Sequence, residues 1–283
     1  MKLRKFLKAY KNYIIISTDV YITIFLYFAT LGKRFYIIAN EHLPYNITYS
    51  SKFWEKARNF TYPRVTKLVV TLTDRDKHNF EQLGCRKCIT IPNALTYEQP
   101  RKAPLEGKRI IAVGRFTAQK GFDYLLEAYA KLTPKYPEWT LDIFGEGPLK
   151  NDLEHQIENL NLRDFVQIKG PTPRIEEEYI KSDIYVLSSR YEAFPMVLIE
   201  AMSFGLPPVA FDCETGPAEI IAPGEDGLLV PPEDVEELAA NLEKLMENRD
   251  LRKTLGLNAF ENIKRLSPEA IFGNWYRLIQ EIG

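Results

Sequence analysis

The sequence predicts an α/β protein that contains two doubly wound parallel sheets. Short apolar runs alternate with amphipathic segments along nearly the whole 283-residue chain. The apolar runs are continuous rather than alternating, which is typical of parallel strands that are buried on both faces. A polar, proline-containing stretch over residues 94–107, "ALTYEQPRKAPLEG", divides this alternation in two. We therefore expect a first domain over residues 1–98 and a second domain over residues 99–283.

The apolar stretch near the start of the first domain is predicted to form a strand and a helix, and not a membrane anchor. A basic lead precedes a mostly apolar stretch over residues 13–32, which is long enough for a signal-anchor helix. Asp19 would cost roughly 2.5 to 3.5 kcal/mol near the centre of a bilayer. The same residues are better explained by a strand at 13–16, a capped turn at 17–19 and an apolar helix that ends at Gly32 than by a signal-anchor helix.

The remaining elements follow in order along the chain. Three more strands are predicted in the first domain, at "FYIIANEH", "KLVVTLT" and "CITIPN", with helices between them. In the second domain we expect strands at "RIIAVG", "TLDIFG", "FVQIKG", "IYVLSS" and "PPVAFD", each of the first four followed by a helix. The tail is predicted to be helical, with a break at Pro268 and a last helix over 268–283.

The charge balance and the number of cysteines limit the classes of function that the sequence allows. The 37 basic and 38 acidic side chains nearly cancel, so the net charge does not indicate a protein that binds nucleic acid. Any phosphate group should therefore be held by a local site. Three cysteines are too few for a disulfide framework and indicate a reducing compartment, the cytoplasm.

Two short motifs resemble metal sites but are interpreted otherwise. Cys85 and Cys88 have His78 upstream, yet a zinc site normally needs a second ligand pair at suitable spacing, so ordinary loop cysteines are the better interpretation. Asp74 and Asp76 form a D-x-D that follows a strand and leads into a helix, which favours a cap at the helix start. We expect no metal and no cofactor.

In an open parallel sheet, ligands bind beyond the carboxyl ends of the strands. The first strand of the second domain is followed by "GRFTAQKG", so Arg115 and Lys120 are placed to bind phosphate oxygens, although two solvated loop cations would explain them as well. The second strand ends in "FGEGP", where Gly145 permits close approach of a ligand to the backbone. A tight strand-to-helix turn explains Gly145 equally well.

The segment "EAFPMVLIEAM" carries the most specific prediction. Pro195 suits the first position of a helix, and the amides of Phe194, Met196 and Val197 would then form an anion site at the helix N-terminus.

Two glutamates flank this site. Glu192 precedes the helix, whereas Glu200 lies within its apolar sequence, where an unpartnered carboxylate would be costly. Either Glu200 forms a buried ion pair, or it lines the crevice and accepts hydrogen bonds from sugar hydroxyls. Together with the phosphate-binding cations, the second alternative fits a nucleoside diphosphate sugar.

These motifs resemble a known family. "VGRFTAQKG", "FGEGP", "EAFPMVLIEAMSFGLPPVA", "TGPAEII" and "GEDGLLVPP" are similar to the family-4 retaining glycosyltransferases of the GT-B fold, in the order and spacing of that family and over residues 108–283. The variant is most similar to bacterial enzymes that build capsule, exopolysaccharide or lipid-linked glycans. The resemblance implies two Rossmann-like domains, of which the N-terminal one is incomplete in this chain, and a last helix that packs back toward the N-terminal domain.

The resemblance also implies residue roles. His42, after the strand "FYIIANEH", matches a histidine that faces the donor sugar, although a lone histidine at such a position is more often structural. The other implied roles are a diphosphate clamp at Arg115 and Lys120, a ribose contact at Glu200, a sugar contact at Glu192, and base contacts from the backbone around Lys169, Gly170 and Thr172.

The activity implied is transfer of a hexose or N-acetylhexosamine from a UDP-sugar to a glycan or lipid-linked acceptor, with retention of configuration. Peripheral contact with the inner face of a membrane is left open. The competing interpretations are a non-catalytic nucleotide-sugar binder, and a glycan phosphorylase or epimerase of the same broad architecture. No lysine pattern for pyridoxal phosphate is present, and the full motif set favours transfer.

Overall fold

A computed structural model describes residues 2–10, 12–31, 35–46, 52–95 and 101–282. The chain divides into two compact units, Met1–Asn93 and Ala94–Gly283. The predicted boundary between residues 98 and 99 falls in a segment, 96–100, that lies outside the described residues.

The first unit contains a sheet of four parallel strands in the order β1-β2-β3-β4. The four strands that the sequence predicted are therefore neighbours in chain order. The elements are α1 (Lys2–Lys8), β1 (Ile14–Ser17), α2 (Val20–Thr30), β2 (Tyr36–Asn40), α3 (Lys52–Val65), β3 (Leu68–Thr71), α4 (Asp74–Gln82) and β4 (Cys88–Thr90).

The apolar stretch near the start forms a strand, a turn and a helix. Asp19 is the N-cap of α2, and its Oδ1 accepts hydrogen bonds from the backbone N–H of Tyr21 at 2.7 Å and of Ile22 at 3.4 Å. The predicted cap is confirmed, and Gly32, the predicted helix end, lies outside the described residues. Over the described ranges, every helix is too short or too polar to span a bilayer.

The two motifs that resembled metal sites have structural roles. Cys85 lies in the loop before β4, whereas Cys88 is the first residue of β4, so the prediction of loop cysteines is wrong for Cys88. Both are buried in the apolar cluster between the sheet and its helices. Asp74 and Asp76 lie in the first turn of α4, at the predicted helix start, but neither of them is the cap that the sequence predicted. The N-cap itself is Thr73, whose Oγ1 accepts a hydrogen bond from the backbone N–H of Asp76 at 3.2 Å.

The second unit contains a sheet of six parallel strands in the order β10-β9-β8-β5-β6-β7. Its strands are β5 (Arg109–Val113), β6 (Thr140–Phe144), β7 (Val166–Lys169), β8 (Ile184–Leu187), β9 (Pro208–Phe211) and β10 (Leu228–Val230). Its helices are α5 (Phe122–Ala130), α6 (Lys150–Asn159), α7 (Ile175–Ile180), α8 (Met196–Ser203), α9 (Pro217–Ile220), α10 (Val235–Glu247), α11 (Arg249–Asn262) and α12 (Pro268–Ile282).

This strand order is that of a doubly wound sheet. From β5 the chain winds outward through β6 to β7, then returns to β8 beside β5 and winds the other way to β10. The loops that follow β5 and β8 therefore leave the sheet in opposite directions, which opens a crevice at this switch point. A 3₁₀ turn, Ala118–Lys120, lies in the first of these loops.

A large apolar cluster that includes Ile110, Leu141 and Val186 is buried on one face of the sheet of the second unit. Tyr129 is fully buried, and its hydroxyl donates a hydrogen bond to the carbonyl oxygen of Trp139 at 2.7 Å. The strand β10 was not predicted, because three residues of "GLLVPP" are too short to show a strand pattern. The helix α12 begins at Pro268, as predicted, and its packing toward the first domain stays a prediction.

Candidate functional site

The two loops at the switch point are hydrogen-bonded to each other. Ser188 Oγ, directly after β8, donates to the carbonyl oxygen of Lys120 at 3.0 Å. The backbone N–H of Arg190 donates to the carbonyl oxygen of Gln119 at 2.8 Å. The position of Lys120 is therefore fixed by β8, whereas Arg115 lies exposed at the start of the same loop.

Two glycines allow these loops to approach. Gly121 has φ of +60°, and a Cβ there would lie 2.0 Å from the carbonyl oxygen of Ser188. Gly145 has φ of +154°, and a Cβ there would lie 1.9 Å from the carbonyl oxygen of Gly114. A side chain at either position would collide with backbone, so glycine is required for the loops after β5, β6 and β8 to meet.

A cavity of about 330 Å³ opens at this edge of the sheet. This volume is within the usual range for small-molecule sites, and apolar walls with a few converging polar groups are typical of such sites. Four of the predicted site residues line it: Arg115, Gly145, Thr172 and Glu200. The other lining residues are Val113, Gly114, Phe144, Glu146, Pro171 and Ile175.

Lys120 and Glu192, predicted separately from two motifs, form a direct ion pair. Lys120 Nζ lies 2.6 Å from Glu192 Oε1, and the two side chains are only 14% and 8% exposed. Ser189 Oγ donates to the same oxygen at 2.7 Å. The cation predicted to bind the diphosphate thus also contacts the carboxylate predicted to bind the sugar.

The helix α8 begins one residue later than predicted. Pro195 is the N-cap, with φ of −71° and ψ of 101°, so the first helical residue is Met196 and the prediction of Pro195 at that position is wrong. The extended ψ turns the chain into the helix, and proline has no side-chain acceptor to cap its amides. Phe194 is buried and Val197 half-buried. Gly216, of "TGPAEII", packs closely here, because a Cβ would lie 2.7 Å from Pro195 Cδ.

Glu200, within α8, lines the cavity and is half-buried. Of the two alternatives left open by the sequence, the position on the cavity wall agrees with a carboxylate that faces a ligand. Tyr185, on β8, is fully buried nearby. Burial, together with the charges of Glu192 and Glu200, raises the pKa of the Tyr185 phenol, so this hydroxyl stays neutral.

The third strand contributes through its backbone. Lys169 ends β7, and its Nζ pairs with Asp142 Oδ2 at 2.8 Å, which engages the side chain within the sheet. A Cβ at Gly170 would meet no atom within 4 Å. Pro171 and Thr172 follow and line the cavity. Base contacts from this segment stay a prediction.

His42 belongs to the first unit, directly after β2. Its Nε2 lies 3.0 Å from Asn40 Nδ2, and partial burial lowers its pKa below the usual value. Glu41 beside it is buried, which raises its pKa to about 7, and it accepts a hydrogen bond from the Tyr62 hydroxyl. The proposed contact of His42 with the donor stays a prediction.

Sequence reasoning missed several residues of the site. Ser189 follows β8 in the run "LSS" and could have been found, since every residue after a strand was a candidate. Thr215 donates a hydrogen bond from Oγ1 to the carbonyl oxygen of Glu192, across 23 residues of sequence. No local pattern reveals that contact, nor the buried Tyr185 between two carboxylates.

Comparison with known proteins agrees with this geometry. The family model described as "Glycosyl transferases group 1" matches residues 95–262. The chain belongs to this family. The two units, with parallel sheets of four and six strands, have the GT-B fold.

Relatives and a solved structure show the extent of the likeness. An exopolysaccharide phosphotransferase of Streptomyces coelicolor is 41% identical over 78% of this chain and 24% of its own length. The amylovoran biosynthesis glycosyltransferase AmsD of Erwinia amylovora is 40% identical over 78% of this chain and 64% of its own length. The chain thus spans less than two thirds of either relative. The structure of Anabaena HepE in complex with UDP has a TM-score of 0.88 at 20% identity, over 99% of this chain and 82% of that one.

Proposed function

We propose that the protein is a retaining glycosyltransferase of family 4. It transfers a hexose or N-acetylhexosamine from a UDP-sugar to a glycan or lipid-linked acceptor. One observation carries the proposal: Arg115 and Glu200 converge on the cavity at the switch point, beside the Lys120–Glu192 pair and the start of α8. The glycan-building relatives support this reaction class.

The donor binds with its diphosphate at the loop after β5. Arg115 and Lys120 neutralise the phosphates, and the amides at the start of α8 point in the direction that favours an anion. Glu200 accepts hydrogen bonds from the ribose hydroxyls. The base lies against the backbone of residues 169–172, where the cavity wall is partly apolar.

The reaction breaks the bond between the sugar C1 and the diphosphate oxygen. Negative charge develops on the departing UDP, and the preorganised cations at Arg115 and Lys120 stabilise it. The acceptor hydroxyl attacks C1 from the same face through an oxocarbenium-like state, and its proton passes to the leaving diphosphate oxygen. Glu192 holds the donor sugar, and a contact of His42 with this sugar stays a prediction. No metal or cofactor is part of this proposal.

Calorimetric titration with UDP tests the donor site. We expect the wild-type chain to bind UDP with micromolar affinity, and Arg115→Ala and Glu200→Ala to abolish binding, because each removes a charged partner. Arg163→Ala is the matched control: Arg163 precedes β7 and pairs with Glu158 at 70% exposure, so it lies at the opposite edge of the sheet. Binding that survives both site substitutions would refute the placement of the donor.

Turnover distinguishes an enzyme from a non-catalytic nucleotide-sugar binder. The chain is incubated with UDP-glucose, UDP-galactose, UDP-N-acetylglucosamine and UDP-N-acetylgalactosamine, each with polyprenyl-diphosphate-linked and free glycan acceptors. We expect one donor to give a product whose anomeric proton coupling in NMR shows the configuration of the donor. UDP binding without turnover would favour the binder, and an inverted product would refute the retaining mechanism.

We propose further that the reaction occurs in the cytoplasm, with the first unit in peripheral contact with the membrane. Residues 1–93 hold 16 Lys and Arg against 6 Asp and Glu, a formal charge of +10, whereas residues 94–283 carry −11. Phe25, Phe28 and Phe60 on α2 and α3 are each more than half exposed. Exposed aromatic rings and a net positive charge together favour an anionic lipid surface.

Sedimentation with vesicles tests this contact. We expect binding to vesicles of phosphatidylglycerol and phosphatidylcholine, weakened by salt and by the pair Phe25→Ser and Phe28→Ser. Vesicles of phosphatidylcholine alone are the control. Equal binding to both kinds of vesicle, or none to either, would contradict the proposal.

A further inference from the structure

Among the described residues, the side chains that hold the carboxylate of Glu192 contact one of its two oxygens. Lys120 Nζ at 2.6 Å and Ser189 Oγ at 2.7 Å both contact Oε1. Within the part of the chain that the structure describes, no side chain donates to Oε2. A carboxylate has about four acceptor positions, so Oε2 keeps its capacity to accept hydrogen bonds.

The groups that hold this oxygen are themselves fixed. Ser189 is 1% exposed and follows Ser188, which is tied to the carbonyl oxygen of Lys120. On the other side, Thr215 donates to the carbonyl oxygen of Glu192. The turn that carries Ser189 and Glu192 is therefore anchored at both ends, and the hydrogen bond between them spans only three residues.

We propose that Ser189 is a positioning residue that presents Glu192 Oε2 to the hydroxyls of the donor sugar. The last torsion of a glutamate is broad, so an unheld carboxylate would rotate and offer either oxygen. With Oε1 fixed, Oε2 keeps one direction. This inference rests on the proposed function, in which Glu192 contacts the sugar.

Lys120 cannot fulfil this role alone once a donor is bound. Its ammonium is a point charge on a flexible stem, and in the proposed function it also contacts the diphosphate. Its three donors allow it to contact Glu192 and a phosphate oxygen together, but its position then depends on the phosphate. Ser189 has a short side chain whose hydroxyl donates to Glu192 Oε1 and, among the described residues, to no other group, so it holds Oε1 whether or not a diphosphate is present.

The inference predicts a selective effect on sugar recognition. We expect Ser189→Ala to leave the dissociation constant for UDP unchanged within about twofold, and to weaken binding of the preferred UDP-sugar about tenfold, which is the usual effect of one hydrogen bond to a charged group. Ser189→Thr keeps the hydroxyl and should restore most of the affinity. The matched control is Ser182→Ala: Ser182 is equally buried and donates to the carbonyl oxygen of Glu178 at 2.7 Å, before the start of β8.

A double-substitution cycle with Glu192→Gln completes the test, with UDP and the four UDP-sugars as probes in calorimetry. If Ser189 acts through Glu192, Ser189→Ala has little further effect in the Glu192→Gln background. Additive effects of the two substitutions, or an equal loss of affinity for UDP and UDP-sugar in Ser189→Ala, would overturn the role of Ser189 but not the proposed function. If Glu192→Gln leaves UDP-sugar binding unchanged while UDP still binds, the proposed role of Glu192 falls and this inference falls with it.

Discussion

The buried carboxyl of Glu41 makes the stability of the protein depend on pH. Burial raises the pKa of Glu41 from 4.5 to about 7, against the opposing effect of the hydrogen bond from Tyr62. In the unfolded chain this carboxyl ionises near its usual pKa, so between about pH 4.5 and pH 7 the folded state binds more protons than the unfolded state. The free energy of unfolding therefore falls as the pH rises through this window and levels off above about pH 7.

The size of the effect follows from the shift. A difference of about 2.5 pKa units corresponds to about 3 kcal/mol between the two plateaus. Glu41→Gln removes the titrating group, keeps the side-chain size and leaves an amide oxygen that accepts the hydrogen bond from Tyr62. We expect the stability difference between Glu41→Gln and the wild type to change by about 3 kcal/mol across the window, in favour of the variant at high pH.

Urea unfolding at about pH 5, 6, 7 and 8, followed by tryptophan fluorescence and circular dichroism, measures this difference. Glu55→Gln is the control, because it makes the same chemical change at an exposed position of α3. Parallel pH curves for the wild type and Glu41→Gln would refute the reasoning, because they would mean that Glu41 titrates alike in the folded and unfolded chain.

Three further substitutions have expected outcomes. Lys120→Met should destabilise the fold by about 3 kcal/mol in urea unfolding, because it leaves the buried Glu192 without its cation. Adding Glu192→Gln should recover much of the lost stability, and no recovery would contradict the ion pair. Gly121→Ala should abolish UDP binding by displacing the loop, whereas Gly273→Ala, where a Cβ meets nothing, should not. Asp19→Ala should cost about 1 kcal/mol in thermal unfolding through loss of the helix cap, and an unchanged melting temperature would contradict it.

Much of the candidate site could be predicted because ligands of open parallel sheets bind beyond the carboxyl ends of the strands. Continuous apolar runs located the strands, and the residues after them, such as Arg115 and Glu192, then had to lie at one edge of the sheet. The assignment needed only local patterns and the direction of the strands. The cap at Asp19 followed from the same local chemistry.

Contacts between distant segments could not be predicted in the same way. The Lys120–Glu192 pair joins residues 72 positions apart, and the Thr215–Glu192 hydrogen bond depends on how the loop after β9 packs on the loop after β8. Both contacts depend on tertiary packing, which produces no periodic pattern in the sequence. The start of α8 was misplaced by one residue because proline is compatible with both the N-cap and the first helical position.

The order of residues around α8 matches the chemical order of the proposed donor. Glu192 precedes the helix, the amides at Met196 open it, and Glu200 lies four residues further, about 6 Å along the helix axis at 1.5 Å per residue. A UDP-sugar has its sugar, diphosphate and ribose in that same sequence. With the diphosphate at the helix N-terminus, one carboxylate faces each flanking group of hydroxyls. Glu192→Asp should therefore weaken binding of the UDP-sugar and leave binding of UDP unchanged. Glu200→Asp should weaken binding of UDP and of the UDP-sugar equally. The opposite pattern would mean that the donor binds in the reverse direction.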